Sequence, residues 1–183
     1  KGLNLKAPSG IRPTEDKVRQ AIFNIIGPAI SGCRFLDGFA GSGALGIEAL
    51  SRGAAFSAFI ESDTEAALTI RENLDRLAPD VDRRVWRIVH APVERGMRIL
   101  AESEPPFDFI LFDPPYASSD GKNALNALSQ HAILAPAGIV GIEHDRRTEL
   151  PTTIGPLGQW KQHRYGDTVL SFYRPSGQGA EGS

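Results

Sequence analysis

The residues best suited to chemistry stand together in Asp113-Pro114-Pro115-Tyr116, which closes the apolar run Phe107 to Phe112. A buried strand gains nothing by ending on a carboxylate and two residues that lack a backbone N–H. An exocyclic amine of a nucleobase would use all four. Its lone pair is delocalised into the ring, and two acceptors bonded to its N–H groups would draw the nitrogen toward tetrahedral geometry. Asp113 supplies one acceptor. The Pro114 carbonyl supplies the other, because Pro115 restricts the backbone before it and removes a competing donor. Tyr116 offers a face on which the base can stack. The alkylated product sheds its proton without a strong base, so the contribution is chiefly positioning and electrostatics. The same residues would also make an ordinary proline turn. The chemical reading is favoured by their position at the end of a buried strand, downstream of a second motif.

That second motif is Gly41-Ser42-Gly43-Ala44-Leu45-Gly46, a literal G-x-G-x-x-G between a strand and a helix, with Glu61 at the end of the next strand. On spacing alone it is a dinucleotide fingerprint, and a nicotinamide oxidoreductase is one reading. Asp37 argues for another. It precedes Gly41 by four positions, and a pyrophosphate at the helix start would face its carboxylate, a costly juxtaposition of like charges. A cationic ligand without phosphate suits the site better, and S-adenosylmethionine carries an ammonium and a sulfonium. Gly41 and Gly43 would admit its amino-acid end, and Glu61 would accept from both ribose hydroxyls. Taken singly, the glycines could be a tight turn and Asp37 a cap on it.

The elements that must position these groups alternate. Apolar runs at 33–40, 56–61, 84–90, 107–112 and 138–143 read as strands. Helical patterns lie between them at 44–53, 64–77, from Pro92 to about Leu100, and from about Asp120 to Gln130. A further helix starts near Thr14, which can cap it, and carries the stripe Val18, Ile22, Ile25, Ile26. Such alternation implies a parallel α/β sheet covered on both faces. The end changes character: runs 160–166 and 167–174 alternate apolar with polar around Gly166-Asp167, a hairpin signal. The expectation is a mostly parallel seven-stranded sheet with a C-terminal antiparallel hairpin, an extended arm over 1–13 and a disordered tail over 176–183.

Composition narrows the classes. The chain has 183 residues and one cysteine, Cys33, which excludes an internal disulfide and a Cys-based zinc site and fits a reducing compartment. The four histidines are scattered without ligand spacing, so no metal is expected. No apolar run approaches a membrane span and no signal peptide is seen. The net charge of −2 is not that of a generic nucleic-acid binder, yet residues 1–34 hold six Lys/Arg against Glu15 and Asp16. Arg12, Lys17 and Arg19 are therefore candidate phosphate contacts, although charge alone favours a solvated helix face.

The stretches "IRPTEDKVRQAIFNIIG", "FLDGFAGSGALGIEALSRGA", "IESD" and "ILFDPPY" together resemble the bacterial 16S rRNA guanine-N2 methyltransferase family, over most of residues 1–175. The R-P-T element separates that family from generic N6-adenine methyltransferases. The resemblance implies one Rossmann-like methyltransferase domain over 1–175. It implies S-adenosylmethionine held by Asp37, Gly41, Gly43, Glu61 and Ser62, with Thr14 and Arg12 over the cofactor or target. Asp113, Pro114, Pro115 and Tyr116 would form the catalytic box. It further implies a cytoplasmic enzyme acting on ribosomal RNA, within an assembling or assembled small subunit. The sequence departs from the family at Pro92-Val93, where Asp or Asn then Ala is usual, so a side-chain contact to the adenine amine is missing there. It also begins at "KGLNL", where the family has a further short strand, so truncation upstream is an expectation. N6-adenine methylation, nicotinamide chemistry and a non-catalytic RNA-binding or assembly factor are the competing readings.

Overall fold

The computed structural model describes residues 13–77, 82–115 and 119–177, without the side chains of 13–16 and 77. Arg12, Tyr116, most of the expected arm and most of the tail lie outside these residues, as does the Thr14 side chain. The parallel strands are β1 (Arg34–Gly38), β2 (Phe56–Glu61), β3 (Trp86–His90), β4 (Phe107–Phe112) and β5 (Leu134–Asp145). They alternate with α2 (Ala44–Ser51), α3 (Thr64–Leu77), α4 (Val93–Ser103) and α5 (Asp120–Leu128), and α1 (Pro13–Ile26) precedes them. Antiparallel strands β6 (Thr153–Ile154), β7 (Leu157–Tyr165) and β8 (Thr168–Pro175) complete one sheet of order β3-β2-β1-β4-β5-β8-β7-β6.

Alternation along the strands sends side chains to the two faces of the sheet. Phe35 and Leu111 pack with the Val18, Ile22 and Ile26 stripe of α1, and Phe59 packs with Ile47 of α2 and Ile70 of α3. Leu36, Ile60 and Ile110 pack against Met97 of α4 and Leu125 of α5. Helices therefore cover both faces, as the alternation implied. The hairpin also forms where Gly166-Asp167 placed it. Tyr165 pairs with Thr168, and Gly166 takes the left-handed conformation at φ 63° that the turn requires.

Three expectations need correction. Among the described residues the sheet has eight strands, not seven, because β6 is two residues long and too short to show a period. Strand β5 begins at Leu134 rather than Gly138. Its pairing with β4 shifts register between Phe107 and Phe109, and that irregularity accommodates Pro136, which would stop a regular strand. The first strand is confined to Arg34–Gly38, since Phe39 at φ 64° already turns the chain.

Candidate functional site

The strand order reverses at β1: β2 and β3 lie on one side of it, β4 and β5 on the other. Crevices beyond the carboxyl ends of strands at such a switch point are where open α/β sheets bind ligands. Asp37, Glu61 and Asp113 all arrive there, at the ends of β1, β2 and β4. The Asp113 backbone N–H donates to the Gly38 carbonyl at 3.4 Å, which joins the D-P-P-Y box to the end of β1.

Asp37 is 1% exposed, and its Oδ2 accepts from the Gly46 N–H at 2.8 Å. That contact is the capping role open to it from sequence, and it fixes the start of α2 relative to β1. Burial drives the Asp37 carboxyl well above the ordinary carboxylate range; the Gly46 hydrogen bond opposes this, while the charges of Asp113 and Glu61 add to it. Asp37 thus lies within reach of the charges of Asp113 and Glu61, and this acidic grouping suits a cationic ligand.

Glu61 shows a feature the sequence did not reveal. Its Oε2 accepts from the Gly41 N–H at 2.7 Å and its Oε1 from the Asp63 N–H at 2.8 Å. The carboxylate thus ties the glycine loop to the end of β2, with lone pairs remaining on each oxygen. The glycines divide the work. Gly41, at φ 53°, has open space where a side chain would project, so the backbone conformation is what demands glycine. Gly46 is a packing glycine: a Cβ there would lie 2.3 Å from the Phe59 ring and 2.8 Å from Ser57 Oγ. Gly46→Ala is therefore expected to cost about 1–3 kcal/mol by overpacking. Because it pushes α2 away from Asp37, it should also weaken S-adenosylhomocysteine binding. Thermal unfolding and calorimetry on the same sample check both effects, and an unchanged Tm would refute the packing role.

Beside the loop lies a recess of about 160 Å³ lined by Phe39, Ile60, Ser62, Pro92, Val93 and Glu94, among others. Its walls suit a flat heterocycle. Pro92 and Val93, the departure noted above, contribute apolar surface, and Glu94 and Asp120 bring carboxylates to the same recess. Phe39 was missed in the sequence, where nothing in its spacing marks it. It is the one non-glycine residue of left-handed conformation among the described residues, and its ring meets Phe112 edge-on at 6.2 Å. A second recess, about 30 Å³, lies beyond Asp113-Pro114-Pro115 and includes Lys122, Glu143 and His144. His144 bonds to Ser171 Oγ at 2.8 Å, and burial lowers its pKa, so it is neutral near pH 7.

Among the described residues no three acidic, His or Cys side chains gather as a metal site, and no helix is long and apolar enough to cross a membrane. Cys33 is buried and its thiol is pushed up to about 12, first by burial, so it is no nucleophile.

The family model described as "Conserved hypothetical protein 95" matches residues 1–174. The chain is 41% identical to YlbH of Bacillus subtilis, named as a candidate rRNA methyltransferase, over 97% of this chain and 96% of that one. It is 33% identical to ribosomal RNA small subunit methyltransferase D of Escherichia coli, covering 98% of this chain and 88% of the relative. The chain belongs to this family of rRNA methyltransferases. Among solved structures, it resembles YhhF of Escherichia coli, named as a candidate methyltransferase, with a TM-score of 0.79, 32% identity and coverage of 95% and 92%. The methyl donor of this group is S-adenosylmethionine. The buried carboxyl of Asp37, the open space at Gly41 and the recess at Phe39 suit its ammonium, its amino-acid chain and its adenine respectively.

Proposed function

We propose that the protein methylates the exocyclic N2 amine of a guanine in small-subunit ribosomal RNA, with the assembling or assembled subunit as the substrate particle. The observation that carries this reading is the junction of two motifs: Asp113-Pro114 is hydrogen-bonded to the end of β1, beside the glycine loop. The names of the small-subunit relatives support the RNA class.

When bound, S-adenosylmethionine supplies an electrophilic methyl carbon whose bond to sulfur breaks as the bond to nitrogen forms. Asp37 would hold the ammonium, Gly41 and Gly43 would admit the chain carrying it, and Glu61 would accept from the ribose beside Ser62. The Asp113 carboxylate and the Pro114 carbonyl would accept from the two N–H groups of the target amine and expose its lone pair along the line of attack. Tyr116 would stack on the base. The proton leaves the methylated nitrogen for solvent. A guanine within a duplex is out of reach, so the target must be unpaired or flipped.

Support for guanine over adenine comes from Glu143 and Lys122, which both line the recess next to Asp113. Guanine presents an N1–H donor and an O6 acceptor along that edge, which a carboxylate and an ammonium complement. Adenine offers only a lone pair at N1, which Glu143 would repel. Thr14, in the first turn of α1, and Arg12, which precedes that helix in sequence, would close over the cofactor or target. Incubation with methyl-labelled cofactor and undermethylated small subunits, naked small-subunit RNA or duplex DNA, followed by digestion, tests the proposal. N2-methylguanosine from the subunit is the expected product. N6-methyladenine would overturn the target and keep the chemistry.

A further inference from the structure

A groove of about 580 Å³ runs between α1 and β7, far from either recess in sequence. Lys17, Trp160, Lys161, His163 and Tyr165 line it, and no carboxylate does among the described residues. Trp160 is 40% exposed, unusual for the largest side chain, and two cations attend it: the Arg174 guanidinium at 4.8 Å from the ring centre and the Lys161 ammonium at 5.8 Å. Seven arginines elsewhere pair with carboxylates, namely Arg34, Arg52, Arg83, Arg84, Arg87, Arg146 and Arg147. No carboxylate pairs with Lys17, Lys161 or Arg174 among the described residues. His163 also borders the groove, its ring packed edge-on against Phe172 at 6.3 Å. In an acidic protein, a groove lined by Lys17 and Lys161 and edged by an exposed indole with Arg174 over it calls for an anionic ligand with flat faces.

The groove also leads to the catalytic end. Tyr165 pairs with Thr168, which pairs with Asp145 at the end of β5, beside the Glu143 recess. From β7 to β4 is three strand spacings, about 14 Å, a span a few nucleotides bridge.

We propose that this groove seats the RNA strand flanking the target nucleotide, with its phosphates on Lys17, Lys161 and Arg174 and a base stacked on Trp160. The inference rests on RNA being the substrate but not on which base is methylated. Phosphates account for the cations, and stacking on an indole is tolerant of sequence, as a flanking contact must be.

Binding is measured without methyl transfer, using the full chain, undermethylated small subunits and a fluorescent single-stranded oligoribonucleotide. In a Trp86→Phe background the oligoribonucleotide should quench the fluorescence of Trp160. Lys17→Ala with Lys161→Ala should weaken both RNA ligands about tenfold and lower the salt slope by about 0.7 for each phosphate contact removed. S-adenosylhomocysteine affinity and Tm should stay at parent values, since both lysines are exposed. Unchanged RNA affinity and slope would overturn the proposal. Weakened subunit binding with unchanged oligoribonucleotide binding would also overturn it, and would assign the groove to a ribosomal protein. An unexpected methylated base would instead sink the guanine reading and leave the groove untouched.

Discussion

Asp113→Ala should lower methyl transfer to undermethylated small subunits by about 10²–10³-fold in single turnover, the range seen when one preorganised polar contact to the reacting group is removed. Binding of S-adenosylhomocysteine should persist, because the Asp113 side chain is exposed and the box is held to β1 through its backbone N–H. Stability should change little for the same reason. Asp113→Asn keeps one acceptor oxygen and should fall between parent and alanine. There is a coupled effect. The Asp113 charge helps to raise the Asp37 pKa, so its loss should make Asp37 easier to ionise and, if anything, tighten cofactor-product binding at low pH. Full activity in Asp113→Ala would refute the catalytic assignment and favour a non-catalytic assembly factor.

The second large effect belongs to Asp37. Asp37→Asn retains an oxygen to accept from the Gly46 N–H but loses the charge that would meet the ligand ammonium. A charged hydrogen bond contributes about 1.5–3 kcal/mol, so S-adenosylhomocysteine affinity should fall about 10- to 100-fold at neutral pH. The apo protein should respond in the opposite sense. A buried acid whose folded pKa lies above its unfolded value holds its proton more tightly when folded. Its contribution to stability is therefore full below the unfolded pKa and is lost as pH rises toward the folded one. Asparagine removes that loss, so the variant should have a Tm equal to or above the parent at neutral pH. Parent affinity should strengthen with rising pH as Asp37 ionises, and the variant should be flat. Calorimetry across pH checks this. A parent profile as flat as that of the variant would show that Asp37 does not face the ligand charge.

Several elements could be read from the chain with little loss. The bounds of β2, α3 and β4 coincide with the runs that suggested them, because each is a sharp apolar or amphipathic block, followed in sequence by Asp63, by Pro79 or by Asp113. Asp63 does cap α3, with its Oδ1 accepting from the Ala66 N–H at 2.8 Å. Elements without a period of their own were hidden. The two-residue β6 carries no pattern, and the early part of β5 was masked by Pro136.

For the site, the sequence by itself determined the inventory. Its acids stand at strand ends, its glycines open a helix, and a proline-stiffened box follows the fourth buried strand, since side-chain chemistry and local backbone constraints are properties of neighbouring residues. Only the tertiary structure decided what those parts do to one another. Glu61 clamps the Gly41 amide across a separation of 20 residues. Phe39 turns into the recess in a conformation no spacing announces, and α1 meets β7 to form a cationic groove from the two ends of the chain. Each depends on which strands pair and which faces pack. That is settled by burying apolar side chains on both faces of the sheet at once, a condition spread over the whole chain rather than written in any one stretch of it.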